Sequence, residues 1–499
     1  MKDIYQKITD FVRSRNFFYG VVALLVLEAS WIALSSHYPM AFDEDFHFGI
    51  IKLYAHHLSP WWSAQPAGAN AFGAVYRDPS YLYHWLMSFP YRLISLVFHE
   101  TIGQVIALRL INVAIFASGL VVMRKLLLKT TKSEALVNLV LLFLVLTPVI
   151  PSLAGQINYD NLLFLAVAST LLLTVTFVER LRTGKQLDLK LLSSLAILCL
   201  LSSLVKYAFL PVFLVIGLFV LFFIYRTYHA SGRQIIPELT GAYTRLSKLA
   251  KLSLAIGLVV SGGLFFERYG INTIKYHTPL PECNQVLSVN QCLSYGPWAR
   301  NYNIELVKNQ PGSGSVNFNA VTFSQHWTFV LYRSLFYVLN GPDSGYAVGQ
   351  PLLWPSVVAV LVLVAGIVCL VRYRRQIFKG NPARMLLAGL ILVYGSTLWL
   401  QNYSDYLHLG QPVALQGRYL IPILAPLYLL LGVAIAWAMR NHKQTQVIMA
   451  AVAVILFLQG GGIVTFLVRS DNSWYITNSV SAKINDKVQP VVRHVVIGK

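Results

Sequence analysis

The sequence predicts an all-α polytopic membrane protein, and three features predict it: few charged residues, long apolar blocks, and basic segments between the blocks. The 499 residues are 56% hydrophobic and 12% charged, with a mean hydropathy of +0.58. Soluble chains carry roughly 25% charged residues. The apolar blocks reach the ~20 residues that a helix needs to cross a bilayer. This composition excludes a soluble enzyme, a disordered chain, a collagen-like chain and a small disulfide scaffold.

The charge balance of the chain is strongly basic. Forty Lys and Arg residues against 20 Asp and Glu residues give a net charge of +20. In a soluble protein such a balance suggests a nucleic-acid partner. Here most of the basic residues lie in short segments between apolar blocks, which is the positive-inside pattern of cytoplasmic loops. We therefore expect membrane lipids, and not nucleic acid, as partners.

The first predicted span covers residues 17–37 and follows a basic N-terminus. A cleaved signal peptide is the alternative, but the apolar stretch is long for one and no small-residue cleavage site follows it. The next spans are predicted at 104–123, 134–150 and 161–178. Segment 151–160 lacks Lys and Arg and is assigned to the outside, whereas the basic loops that follow residues 123 and 178 are assigned to the cytoplasm.

Residues 191–225 are predicted to form a helical hairpin. Both flanks of this block are basic, so both are expected in the cytoplasm. A single helix of this length would measure about 50 Å, which is too long for a hydrocarbon core of ~30 Å. The tip is predicted near Lys206-Tyr207 and Pro211, partly re-entrant and covered by protein or water.

The remaining predicted spans bring the total to about eleven transmembrane helices. They lie at 251–267, 353–371, 385–401, 420–439 and 447–467. The transmembrane module is thus 1–467, with large outer loops at 38–103 and 268–352, and an outer C-terminal tail at 468–499. These loops are expected to carry interfacial helices, one of them at 326–340. Cys283 and Cys292, close together in a polar outer loop, predict a disulfide rather than two free thiols.

Ionisable residues lie at the outer ends of several predicted spans, where each is a functional candidate. They are Asp43, Glu44, Asp45 and His47 after the first span, Arg109, Asp160, Lys206 and Arg418. Each also has a simpler interpretation: a solvated acidic loop, a helix cap for Asp160, a snorkelling Lys206, or a positional anchor for Arg418. Arg109 is expected to pair with a carboxylate. Carboxylates and cations together suit the activation of an acceptor hydroxyl beside a lipid-linked phosphate.

The stretch AFDEDFHFG, residues 41–49, resembles the Asp-Glu signature of the GT-C glycosyltransferase superfamily, and above all that of protein O-mannosyltransferases. It departs from that form by one position that looks inserted between the Asp-Glu pair and His-Phe-Gly. QINYDN (156–161), Lys206-Tyr207 and QGRYLIP (416–422) resemble a bacterial family of membrane proteins related to these enzymes. The resemblance implies a glycosyltransferase of the cell membrane that uses polyprenyl-phosphate sugar donors and acts on the extracytoplasmic side.

Carried over to this chain, the resemblance implies a role for each candidate residue. Asp43 is the expected catalytic base, Asp45 is its rival, and Glu44 completes the acidic group. Arg418 and Lys206 are expected to bind the donor phosphate. The expected substrate-binding residues are His47, Asn158, Asp160, Gln416 and Tyr419. A divalent cation held by Asp43, Asp45 and a phosphate oxygen is an open option, and no other cofactor is expected.

The expected reaction is an inverting single displacement that moves a monosaccharide to a hydroxyl of a cell-envelope glycan, glycolipid or protein. Two other classes fit a polytopic membrane protein. A transporter or lipid flippase also carries buried polar residues at broken helices, and a non-catalytic scaffold would use its outer loops to bind a partner. A shared location of Asp43, Asp160, Lys206 and Arg418 would favour the enzyme.

Overall fold

The structure is a computed structural model of the chain. It describes residues 2–184, 187–231, 234–308, 310, 312, 316–340, 346–348, 353–460, 472–477 and 479–497. The end of the last predicted span, 447–467, lies outside these ranges, and so does the start of the predicted tail, 468–499.

Within these ranges the chain is mostly helical, and eight helices are long and apolar enough to cross a membrane. They are Arg15–Ser35, Thr101–Thr130, Tyr159–Thr183, Tyr207–His229, Lys248–Tyr276, Leu353–Arg372, Pro382–Leu409 and Gly417–Ala438. Three shorter apolar helices lie between them or follow them, at Glu134–Leu146, Leu189–Val205 and Gln444–Phe457. The protein is therefore a multi-pass membrane protein.

Further elements precede, connect or follow these helices. They are the helices Lys2–Arg13, Glu44–Ala55, Leu82–Val97, Val149–Ala154, Ile235–Thr244, Cys283–Val286, Val289–Cys292, Gly296–Val307, Ala320–Phe336, Arg374–Phe378 and Val480–Ile497, and the paired strands Val338–Asn340 and Tyr346–Val348. The bounds predicted for the interfacial helix, 326–340, are wrong. The helix runs over Ala320–Phe336, and Val338–Asn340 is a strand. Cys283 and Cys292 are joined by a disulfide.

The helical block at 191–225 is broken where the hairpin tip was predicted. Leu189–Val205 ends at Lys206, whose backbone is extended, and Leu210–Ser231 follows after one short 3₁₀ turn. Pro211 lies in the first turn of that second helix, where its missing N–H has no intrahelical partner to lose. The break therefore places a lysine between two apolar helices.

The core of the bundle forms between Thr101–Thr130 and Tyr159–Gly184, which pack along their length. The rings of Phe116 and Phe164 stack with centroids 4.4 Å apart. Gly119 lets the two backbones approach, since a Cβ there would lie 2.6 Å from the Phe164 ring. By contrast, only 6% of the residues in the most apolar stretches of Lys248–Tyr276 and Leu353–Arg372 are buried within the protein, as expected of helices that face lipid.

Candidate functional site

The first pair of predicted site residues is Asp43 and Arg418, which form an ion pair. Arg418 Nη2 donates to Asp43 Oδ2 at 2.7 Å. The guanidinium is buried, with 3% of its side chain exposed, whereas 55% of the Asp43 side chain is exposed. A carboxylate that is bonded at one oxygen and open to solvent can reach a substrate, and a buried guanidinium binds an anion strongly.

The backbone around Asp43 is strained. Phe42 and Asp43 both have φ 67°, in the left-handed region that residues with a Cβ rarely adopt. Two donors hold this conformation through the Phe42 carbonyl: Arg418 Nη1 at 3.0 Å and Asn158 Nδ2 at 2.9 Å. Strain of this kind is concentrated at functional sites, where the surrounding structure has to impose it.

The second pair is Lys206 and Asp160. Lys206 Nζ donates to Asp160 Oδ1 at 2.6 Å, and both side chains are only 5% exposed. Asp160 lies in the first turn of Tyr159–Gly184, but the residue that caps this helix is Asn158, whose Oδ1 accepts from the Asp160 N–H at 2.9 Å. The Asp160 carboxylate therefore pairs with Lys206 and does not cap the helix.

Tyrosine rings connect the two ion pairs. The Tyr419 ring centroid is 5.3 Å from Arg418 Cζ and 5.2 Å from Lys206 Nζ. Lys206 Nζ also lies 4.4 Å from the ring centroid of Tyr159, a contact that the sequence did not suggest. Within the described ranges, Arg418 Nε has no acceptor and Asp160 Oδ2 has no donor, although both atoms are buried. The site thus retains unused polar capacity of both signs.

Glu44 does not share this site, and its placement argues against a catalytic role. It is completely buried and accepts from Arg109 Nε at 2.8 Å and Arg109 Nη2 at 2.7 Å. Its oxygens also accept from the backbone N–H groups of Met40 at 2.7 Å and Ile157 at 3.1 Å. The expectation that Arg109 pairs with a carboxylate is confirmed. Glu44 is fully occupied in fixing the first loop.

Asp45, the rival base, is exposed and lies one residue beyond Glu44 on the helix Glu44–Ala55. In the described part of the chain it forms no ion pair with Arg418 or Lys206. Its charge acts instead on Tyr38, whose pKa is raised to about 12 by burial first and then by Glu44 and Asp45. The geometry therefore favours Asp43 over Asp45.

His47 is buried and contacts His84, which the sequence analysis did not single out. His47 Nδ1 lies 2.9 Å from His84 Nε2, and the His47 ring packs 4.4 Å from the ring of Tyr159. Burial lowers the pKa of His47, and His84, Arg418 and Lys206 lower it further. Burial likewise lowers the pKa of His84 to about 3. Both rings are neutral next to the two cations.

The motif around Gln416 positions Arg418 through a close backbone contact. The Gly417 N–H donates to Ser334 Oγ at 2.6 Å. A Cβ on Gly417 would lie 2.8 Å from the Leu331 carbonyl oxygen and 2.8 Å from the Leu335 nitrogen. The Gln416 side-chain oxygen is buried and has no donor among the residues that the structure describes. Gly417 is thus required for the approach of Ala320–Phe336 to the site.

We expect Gly417→Ala to destabilise the protein by about 1–3 kcal/mol, because a methyl group would be forced against main-chain atoms. Thermal unfolding in detergent measures this loss. Gly395→Ala is the matched control, since no atom lies within 4 Å of its added Cβ and the position is helical. Equal melting temperatures for the two variants would contradict the close contact.

Sequence reasoning therefore identified the four charged residues that meet, and it missed His84, Tyr159 and Ser334. Tyr159 directly precedes Asp160, a recognised candidate, whereas His84 lies within the outer loop 38–103, where no motif singled it out. Within the described ranges, no group of three or more His, Cys, Asp or Glu side chains is arranged to hold a metal ion. The divalent cation stays a prediction.

No family model matches the chain, and no curated protein matches it.

Proposed function

We propose that the protein is a membrane glycosyltransferase that moves a monosaccharide from a polyprenyl-phosphate donor to an acceptor hydroxyl. The observation that carries the proposal is the joint placement of Asp43–Arg418 and Lys206–Asp160, which come from four distant segments of the chain. Two buried cations at helix ends can bind a lipid phosphate at headgroup level. A half-exposed carboxylate beside them can accept a proton from the attacking hydroxyl.

Contacts between loops support about eleven membrane crossings, if each long helix crosses once. Asn158 contacts Phe42, so the two residues lie on the same side of the membrane. Between them in sequence, the long helix Thr101–Thr130 crosses to the other side. The short helix Glu134–Leu146 must then cross back. In the same way, the contact of Lys206 with Asp160 requires Leu189–Val205 to cross.

The third short helix follows the same logic. Residue 475 pairs with residue 36 in an isolated antiparallel bridge, and Arg418 contacts Asp43. The long helix Gly417–Ala438 leaves that side of the membrane, so Lys443–Gly460 has to return to it. All four charged site residues then lie on the same side.

The other side of the bundle carries the basic segments. Asn381 Nδ2 donates to the Thr130 carbonyl at 2.8 Å, and Lys129 pairs with Glu179 at 2.6 Å, so these loops lie together. Positive loops are typical of the cytoplasmic side. We therefore propose a cytoplasmic N-terminus in the cell membrane and an extracytoplasmic active site.

The proposed reaction is a single displacement with inversion. The acceptor hydroxyl gives its proton to the Asp43 carboxylate as its oxygen forms a bond to the anomeric carbon. The bond from that carbon to the phosphate oxygen breaks, and its electron pair leaves with the polyprenyl phosphate. Arg418 and Lys206 stabilise the charge that builds on this phosphate, and Asp160 orients the donor sugar or the acceptor.

Arg418 Nη2 donates to the Asp43 carboxylate. A phosphate that binds the guanidinium competes with this carboxylate, and its arrival frees Asp43 for proton transfer. Arg418 has spare capacity for this step, because its buried Nε has no acceptor in the described structure. We therefore propose that the donor binds before the acceptor.

A transporter or flippase fits these positions less well. Ion pathways place their charged residues near the middle of the bilayer, at helices broken there. Asp160 and Arg418 instead lie in the first turns of Tyr159–Thr183 and Gly417–Ala438, and Asp43 precedes a helix that does not cross. The charges thus gather at one membrane face.

The test is transfer from a panel of radiolabelled polyprenyl-phosphate sugars by the purified protein in liposomes, scored by mass change of the acceptor. Nucleotide sugars serve as control donors, and movement of labelled donor across the vesicle membrane reports transport. Label on an acceptor supports the proposal. Transport without transfer, or transfer only from nucleotide sugars, would overturn it.

Within this assay we expect Arg418→Ala to raise the KM for the donor about 10- to 100-fold, the equivalent of losing a hydrogen bond to a charged group. The KM for the acceptor should change little. Arg418→Lys is the matched variant, since it keeps the charge and loses the fork geometry. A larger effect on the acceptor than on the donor would reassign Arg418.

A further inference from the structure

Residues 474–476 contact the segment that follows the first membrane helix. The His37 N–H donates to the Trp474 carbonyl at 2.9 Å, and the Ile476 N–H donates to the Ser35 carbonyl at 2.9 Å. These bonds flank an antiparallel bridge between Ser36 and Tyr475. Trp474 is 1% exposed, and its Nε1 donates to Ser36 Oγ at 3.0 Å.

Arg109 holds the same segment from its other side. Its Nη1 donates to the Ser36 carbonyl at 2.8 Å, and its Nη2 donates to the His37 carbonyl at 2.8 Å. The same guanidinium binds Glu44, which is the direct neighbour of Asp43. A connected set of bonds therefore runs from Trp474 to the residue next to the proposed base.

The segment between the bridge and Asp43 is held mainly by other parts of the chain. Residues 37–43 have no helix or strand of their own before the helix Glu44–Ala55 begins, so their course depends on bonds made to other segments. Trp474 supplies the largest buried side chain of the contact. Its loss would release one side of the segment and leave Arg109 and the cations in place.

We propose that Trp474 is a positioning residue, which docks the C-terminal segment on residues 35–37 and so fixes Asp43 relative to Arg418. The catalytic part of this inference rests on the proposed glycosyltransferase function. The docking part does not, and the two can be tested separately. The expected signature is a loss in kcat with little change in the KM for the donor, because the cations that bind the donor stay in place.

Docking is tested with a cross-link that needs no substrate. Ser36 and Tyr475 form a non-hydrogen-bonded antiparallel pair, as the two flanking bonds show. Side chains of such a pair are close, with Cα atoms about 4.5 Å apart, near the separation that disulfides need. We expect Ser36→Cys with Tyr475→Cys to form a disulfide in membranes, after Cys199 and Cys369 are replaced by Ala.

The control pair is Ser36→Cys with Thr477→Cys, which is two residues out of register. Its side chains would lie about 7–8 Å apart, too far for an unstrained disulfide. Faster migration of the first pair on a non-reducing gel, and not of the second, supports docking. Equal cross-linking of both pairs, or of neither, overturns it.

Positioning is tested by kinetics. We expect Trp474→Ala to lower kcat at least 10-fold, with the KM for the donor within a factor of two. Trp474→Phe, which keeps the buried ring, should retain most of the rate. Thr477→Ala, at an exposed neighbouring position, is the matched control and should behave as the unsubstituted protein does.

Rescue separates positioning from a general loss of folding. The 36–475 disulfide, built into the Trp474→Ala variant, should restore kcat, and reduction should remove this gain. The unsubstituted protein is reduced in parallel, because Cys283–Cys292 also reacts. Full activity of Trp474→Ala, or no rescue by a disulfide that forms, overturns the inference. If the unsubstituted protein transfers no sugar while the cross-link forms, the proposed function fails and docking stands.

Discussion

Asp43→Asn is expected to lower kcat for sugar transfer about 100- to 10,000-fold, the range over which a positioned general base contributes. The amide keeps the size of the side chain and an oxygen for Arg418 Nη2, so the strained loop and the donor site should survive. It cannot take the proton of the acceptor hydroxyl. The measurement is the initial rate with a saturating polyprenyl-phosphate sugar, together with the KM for that donor.

Asp45→Asn is the matched control for this result. Asp45 is also an exposed carboxylate of the same acidic stretch, but in the described structure it is not paired with the cations of the site. It should keep its rate within a few-fold. If Asp45→Asn loses the activity and Asp43→Asn keeps it, the base is Asp45 and the contact with Arg418 is structural.

Glu44→Gln is expected to destabilise the protein by about 3–5 kcal/mol, the usual loss when one partner of a buried ion pair is removed. Neither Glu44 nor Arg109 has any exposed side-chain surface, so the guanidinium would keep a buried, uncompensated charge. The measurement is the free energy of unfolding in detergent, or the shift in melting temperature where unfolding is irreversible.

The double variant Glu44→Gln/Arg109→Met distinguishes the two possible roles of Glu44. Removing both charges should recover part of the stability that Glu44→Gln loses, since no unpaired charge remains. A Glu44→Gln protein that melts like the unsubstituted one and still loses its activity would instead restore Glu44 to the catalytic group.

The fold could be predicted from the sequence as far as composition and loop charge reach. Apolar length predicts membrane helices, and Lys206 within an apolar block predicts the break that the structure has there. Helix ends were less predictable: Thr101–Thr130 and Pro382–Leu409 are much longer than the predicted spans 104–123 and 385–401. Residues at these ends contact other segments, as Lys129 contacts Glu179 and the Leu407 carbonyl accepts from Lys308, and hydropathy does not record such contacts.

The sequence could predict which charged residues form the candidate site, but not which of them pair with one another. Depth in the membrane makes Asp43, Asp160, Lys206 and Arg418 candidates one at a time. Their partners depend on packing between segments up to 375 residues apart, as for Arg418 and Asp43. For the same reason, the sequence left Asp45 open as a rival of Asp43, whereas in the structure Glu44 pairs with Arg109 and Asp43 pairs with Arg418.

The bridge between Ser36 and Tyr475 has a consequence for biosynthesis. Trp474 follows its partner Ser36 by 438 residues, so the ribosome has finished nearly all the membrane helices before the two can meet. Until then, only segments made earlier hold the loop after the first membrane helix, through Arg109, Ile157 and Asn158. Because of the order of translation, the acidic loop is therefore fully assembled only in one of the last steps of membrane insertion.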